Sequence, residues 1–371
     1  MKFCCDKVVL SDAINTVNKV IPVKGVMPAL EGILFNVYDD GKIKLTGFDL
    51  EVGIETYFDA EVEKEGSFIV NAKLLGDIVR SLSNESVILS LDDKMNMTIV
   101  SGVIQFVIPC LSADMFPDMP LIEGERQIKL KQSLLHSMVR QTIFAIAQND
   151  VKPIQKGVLF DANENVLTVV ASDYYRLALR KEIFEDGFGE GFHFIVPGKA
   201  LHELIKIMDD NDDEILINLA SKHVVFEFAN VRIISRLLEG EFIKFDTIIP
   251  ASFKTIAKVN TEEVKKAIER ASLLIDEKIR VPVRFSFEYD SIIISCRKTD
   301  GHSFTDEVHT DKEGENLEIG FNNKQLLSIL AGSEKDELLF KLNNPLSSMV
   351  VTGTEDDKFL YMTSPMRLRN E

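Results

Sequence analysis

Two pairs of cations recur seven residues apart, Lys73 with Arg80 and Lys199 with Lys206. Seven residues is about two helical turns, so on a helix each pair shares one face and could meet the phosphates of a polyanion. Lys324 repeats the first position a third time, but Ala331 stands at the second. Asp77 and Glu203 lie four residues after Lys73 and Lys199. Taken alone, the lysines therefore also read as solvated helix positions with intrahelical partners. A second stretch, ASDYYRLALR from Ala171, sets two tyrosines and an arginine in what otherwise alternates as a strand.

Other constellations that could do chemistry fall short. In DDNDDE from Asp209, Asp209, Asn211 and Asp213 occupy calcium-loop positions one, three and five, but Glu214 and Ala220 replace the required glycine and glutamate. A solvated turn is expected there. The glycines of GFGEGF, from Gly187, precede a strand-like run and lack the spacing and following helix of a phosphate loop. His302 and His309 have no third ligand at metal spacing and are expected as exposed strand residues. No nucleophile signature appears. No catalytic residue, metal or cofactor is expected.

The formal charge of −17 argues against simple adhesion to nucleic acid, which needs cations to neutralise phosphates. With 45% hydrophobic and 27% charged residues, the chain reads as soluble and globular, without membrane span or secretory signal. Its four cysteines, Cys4, Cys5, Cys110 and Cys296, show no C-x-x-C spacing, which fits a reduced, cytoplasmic setting. At 371 residues, two or three domains are expected.

The elements that must position these residues repeat three times. Helix-like runs begin near Val8, Leu130 and Val259, and each leads into paired strand-like runs with turn signals at Asp40-Gly41, Asn163-Glu164-Asn165 and Tyr289-Asp290. Strand-then-helix units follow at FIVNAKLLGDIVRSL, FIVPGKALHELIKIM and LEIGFNNKQLLSIL, in register through Lys73, Lys199 and Lys324. Alternating strands close each copy. Proline clusters ending at Pro120 and Pro250 place boundaries near residues 122 and 251, giving three α+β domains at 1–122, 123–251 and 252–371.

Seven segments in order then carry a likeness: the opening MKF, PALEGIL at Pro28, TGFDLE at Thr46, ASD…RLA at Ala171, FIVPGKA at Phe194, EIGFN at Glu318 and SPMRL at Ser364. Over essentially its whole length the chain resembles the bacterial DNA polymerase III beta subunit, the sliding clamp. That resemblance implies three tandem copies of a clamp domain, with two helices and two β-sheets each, in a head-to-tail dimeric ring of six domains. It implies a nonenzymatic processivity factor that encircles double-stranded DNA. A ring holds DNA by topology, which answers the charge objection, since a few screened cations suffice.

The resemblance also assigns residues. Lys24, Lys73, Arg80, Asn149, Lys199, Lys206 and Lys324 would face DNA. Phe106 and Ile108 of the first domain, opposite Leu273 and Leu274 of the other chain's third domain, would close the homodimer. A peptide pocket on the second domain would be walled by Ser172, Tyr174, Tyr175, Arg176 and Leu177, by Ile243, Thr247 and Ile248 of the connector, and by Met362, Pro365, Met366, Arg367 and Leu368. Lys152, Ile154, Gln155, Asn322 and Ser348 complete it. Its implied partners are the DNA polymerase III alpha subunit, the clamp loader, repair polymerases and mismatch-repair proteins. Tyr174, Ile243 and Thr247 depart from the glycine or other small residue, the proline and the arginine common in the family, and the tail Arg369–Glu371 runs three residues further. The competing readings are an acidic three-domain peptide scaffold without a DNA role and a hydrolase with a dispersed site.

Overall fold

Among the described residues of the computed structural model, Asx side chains start four of six α-helices. Asp6 Oδ1 accepts from the amides of Val8 and Val9 ahead of α1 (Lys7–Val17), and Asn71 Oδ1 accepts from Leu74 ahead of α2 (Ala72–Ser81). α3 (Gln132–Arg140) and α4 (Gly198–Ile207) belong to the second copy. Asn260 caps α5 (Thr261–Ser272) and Asn322 caps α6 (Asn323–Ser333). Each such cap contributes about 1 kcal/mol by satisfying an otherwise orphaned helix amide. The structure describes residues 1–83, 85–120, 122, 124, 126–149, 152–275, 281–355 and 358–368, so the tail Arg369–Glu371 lies outside the described residues.

Each helix buries one stripe, as its periodicity requires. α1 buries Leu10, Ala13, Ile14 and Val17, and α5 buries Val264, Ala267, Ile268 and Ala271. Gly47 permits the close seating of α1 on its sheet, because a Cβ there would come within 2.6 Å of the Val17 carbonyl oxygen.

The chain divides into two compact units, residues 1–135 with 199–237 and residues 136–198 with 238–371. Among the described residues, the first holds a five-stranded and a nine-stranded sheet and the second a twelve-stranded sheet, with every ladder antiparallel. In the nine-stranded sheet, Val52–Asp59 of the first copy pairs with Val231–Arg236 of the second, Ile54 opposite Ile233. In the twelve-stranded sheet, Arg176–Ile183 of the second copy pairs with Phe359–Thr363 of the third, Ala178 opposite Tyr361. The compact units thus follow the sheets, and the second copy gives strands to both.

The turn signals hold where they were read. Gly41 and Glu164 take positive φ, 87° and 53°, in the first two hairpins. The acidic run is a turn between α4 and the strand Glu214–Leu219, with Asp212 engaged by Lys131 (2.7 Å) and Ser133 (2.8 Å). One expectation changes. His302 lies in the turn before the strand Ser303–Gly314, with Nδ1 2.8 Å from Asp300 Oδ1, while His309 is the exposed strand residue.

Candidate peptide cleft and basic helix faces

The ASDYYR stretch is a tight turn held by its own side chains. Asp173 Oδ1 accepts from the amides of Tyr175 (3.0 Å) and Arg176 (2.8 Å), and Ser172 Oγ donates to the Arg176 carbonyl (2.9 Å). These bonds hold Tyr174 at φ 70°, a left-handed conformation in which a non-glycine residue costs about 1 kcal/mol or more. Glycine there would avoid that cost. Arg176 Nε donates to Asp173 Oδ2 (3.0 Å), and its Nη1 reaches Ser328 Oγ (2.8 Å) on α6. With side chains only 12% and 14% exposed, Arg176 and Asp173 form a fixed neutral pair instead of a free charge.

Beside this turn the second unit opens a cleft of about 380 Å³. Tyr175, Arg176, Asn322, Pro365 and Met366 line it, joined by Asn149, Asp173, Gln325, Ser364, Ala147 and Gln148. The chain's end is tied in by Ser364 N donating to the Tyr175 carbonyl and Met366 N to the Gly320 carbonyl, both at 2.7 Å. The walls pair apolar bodies with carboxamides, which suits an extended peptide needing both burial and main-chain hydrogen bonds.

Next to it, Leu177 and Met362 belong to a buried cluster with Leu159, Val350 and the connector's Phe245, against which Ile154 packs. Tyr174, Tyr175 and Ile248 are exposed apolar side chains, at 52%, 65% and 41%. Ile243 and Ser348 are half-buried, while Lys152, Thr247 and Arg367 are exposed. Leu368 sits over Gly320, where its Cδ2 would be 2.7 Å from an added Cβ, so it braces the tail. Gln155 is buried with neither amide end hydrogen-bonded, and its carbonyl accepts from Ala147 N (2.8 Å) in the cleft wall.

The basic side chains lie where the helix reading put them, with different partners. Lys73 and Arg80 are exposed on α2, Lys199 and Lys206 on α4, Lys324 on α6, and Lys24 in the segment after α1. Asp77 pairs with Arg80 and Glu203 with Lys206 (3.0 Å), each at i+3 and not with the lysine at i−4. Lys199 instead approaches Asp49 Oδ2 and, at 3.8 Å, Glu51. The intrahelical i,i+4 partners expected for Lys73 and Lys199 are therefore corrected. Asn149, expected with these residues, lines the cleft.

Three family models match the chain: the DNA polymerase III beta subunit N-terminal domain over residues 1–120, its central domain over 129–244 and its C-terminal domain over 246–367. The chain belongs to the DNA polymerase III beta subunit family. Among curated relatives, the beta sliding clamp of Bacillus subtilis is 31% identical, over 99% of this chain and all of that one. That of Halalkalibacterium halodurans is 30% identical with the same coverage. The crystal structure of the Bacillus subtilis sliding clamp superposes with a TM-score of 0.96 at 31% identity over the whole of both chains. That of the Pseudomonas aeruginosa clamp with ligand gives 0.94 at 27% identity, over 99% of this chain and all of that one.

For a beta subunit, the strand Ile104–Pro109 is of interest because it is one of the two outer strands of the five-stranded sheet. Phe106 and Ile108 fall on the side of Ile99 and Met97, half-buried and buried. Val103 and Val107 are the exposed apolar residues there, at 102% and 59%. Leu273 is 85% exposed and Leu274 half-buried just past α5. Sequence reasoning missed Asp173, Gln325, Ser364, Ala147 and Gln148. For Asp173 a signal existed, since Asp49 and Asp300 precede the corresponding turns and are followed by Leu50 (φ 77°) and Gly301 (φ 94°).

Proposed function

We propose that two copies of the chain close head to tail into a six-domain ring around duplex DNA, with domains meeting near residues 122 and 251, and that the cleft tethers replication proteins by their peptide segments. The observation that carries this reading is a pair of incomplete edges. Ile104–Pro109 occupies in the first copy the place of Val231–Arg236 in the second and Phe359–Thr363 in the third, yet among the described residues it pairs on one side only. Residues 303–309 occupy the place of Val52–Asp59 and Arg176–Ile183, and among the described residues they too pair on one side. Ile54–Ile233 and Ala178–Tyr361 are the central pairs of the two complete junctions. The same register sets Phe304 of one chain opposite Phe106 of the other, with Leu273 and Leu274 as apolar cover. Two bare edges of matching pattern favour each other over solvent.

The partners this reading assigns are the DNA polymerase III alpha subunit, the clamp loader, repair polymerases and mismatch-repair proteins. In the ring, Lys24, Lys73, Arg80, Lys199, Lys206 and Lys324 would face the duplex. The described helices include none long and apolar enough to cross a membrane, and a cytoplasmic site of action is part of the proposal. The test is mass in solution followed by retention on DNA. Twice 41.8 kDa, with retention on closed circles and loss on cutting them, is expected. A monomer, or a protein that stays on cut DNA, overturns the ring.

A further inference from the structure

The ion pairs of α2 and α4 repeat with the chain. Lys73, Asp77 and Arg80 stand 126 residues before Lys199, Glu203 and Lys206, and in both helices the acid grips the base three residues on. In α6 the equivalent places hold Ser328 and Ala331, so acid and base are absent together. Glu203 is only 15% exposed, more enclosed than a solvated helix acid needs to be. Lys199 shows that local helix support is not the whole account, because its partner comes from a turn in another copy. Asp49 spends Oδ1 on the amides of Glu51 (2.9 Å) and Val52 (2.7 Å), leaving Oδ2, on a side chain 6% exposed, to the ammonium. That contact is an ion pair without hydrogen-bond alignment. Burial works to lower the Lys199 pKa, but Asp49, Glu51 and Glu203 outweigh it and raise it, so the charge persists at neutral pH. Lys73, by contrast, makes no ion pair among the described residues.

We propose that Asp77, Glu203 and Asp49 set the strength of DNA contact by holding Arg80, Lys206 and Lys199 in ion pairs that a phosphate must displace. This rests on the reading of these helices as DNA-facing. A cation beside a carboxylate neutralises less than one phosphate, so fewer DNA counterions are released and affinity depends less on salt. Arg80, Lys206 and Lys199 are each 54% exposed, so water screens the cationic side of every pair and exchange with phosphate is easy in both directions. The result is contact that positions the duplex without arresting motion along it.

The test is duplex-binding anisotropy of the dimer at several salt concentrations, comparing D77N/E203Q with R80A/K206A. Both changes in the first variant keep shape at helix surfaces, and its mass and circular dichroism are checked first. Tighter binding by about three- to tenfold is expected for D77N/E203Q. Its log-affinity against log-salt slope should steepen by about 1 per freed cation. Unchanged or weaker binding by D77N/E203Q, with R80A/K206A weakened, overturns the proposal and leaves the DNA-facing reading intact. If neither variant moves affinity, the DNA-facing reading falls and the proposal with it.

Discussion

The turn at Asp49 and the turn at Asp173 share a backbone and differ in use. Both fold on an aspartate Oδ1 that accepts two amides, both put the next residue at positive φ, and both lead into a strand that joins the following copy's last strand. In the first, Val52 leaves the aspartate to Lys199, and Gly53 makes room for Met119, whose Cε would lie 2.2 Å from an added Cβ. Phe116 and Met119 pack there with Phe48. In the second, Arg176 takes the aspartate itself and Leu177 joins the buried cluster, while the cleft opens alongside. Two side-chain changes on one backbone thus separate a packed junction from an open cleft.

The comparison can be broken most forcefully at the chain's end. Truncation after Ser364 removes Pro365 and Met366 from the cleft, and losing two apolar anchors of about 1.5–3 kcal/mol each should weaken a polymerase-tail peptide about a hundredfold or more. The dimer and its retention on circular DNA should be unaffected, so calorimetric titration beside solution mass separates the two. Undiminished peptide binding would move the site elsewhere.

Giving the second turn the residue of the first is the next test. R176V strips the enclosed Asp173 of its ion-pair partner and α6 of a contact at Ser328, and should cost about 2–3 kcal/mol in urea unfolding. Peptide affinity should fall as well, by about tenfold. A stable R176V variant that still binds would show that Arg176 is incidental to the cleft.

The smallest effect concerns Asp161, which faces His193 across the sheet where the first copy has Asn36 hydrogen-bonded to Ser67 (2.9 Å). Burial raises the Asp161 pKa, Asp246 raises it further and His193 opposes them. With the folded value above the unfolded one, Asp161 favours folding while protonated and loses that contribution as pH rises through its folded value. D161N should therefore raise Tm by about 1–2 °C at neutral pH, and the gain should vanish in acid. A gain that grows as pH falls would reverse the sign of this argument.

Much of the architecture was legible because it is local. Hairpin turns and apolar periodicity announce their elements within a few residues, and three recurrences make the module plain. The tyrosines and Arg176 stood out because the matching GFDLEV and KTDGHS lack them. What could not be read is what depends on distant partners. Asp77 and Glu203 were given to the lysines four residues before them, when Arg80 and Lys206 were within reach and Asp49 competed for Lys199 from another copy. Nothing near Ile54 specifies Ile233, and nothing near Asn322 announces that Gln325 would line the cleft with it.

The joining of strands across copies has a consequence for how the chain comes apart. A module whose sheet is finished by its neighbour is not a folding unit, however clearly the sequence repeats. Cooperative unfolding should respect the two compact units, with the second copy melting half with each neighbour and never alone. Cut out by itself, that copy would expose Val231–Arg236 and Arg176–Ile183 as raw strands, each ready to pair with a stranger. The unit of repetition and the unit of stability are out of step by half a module.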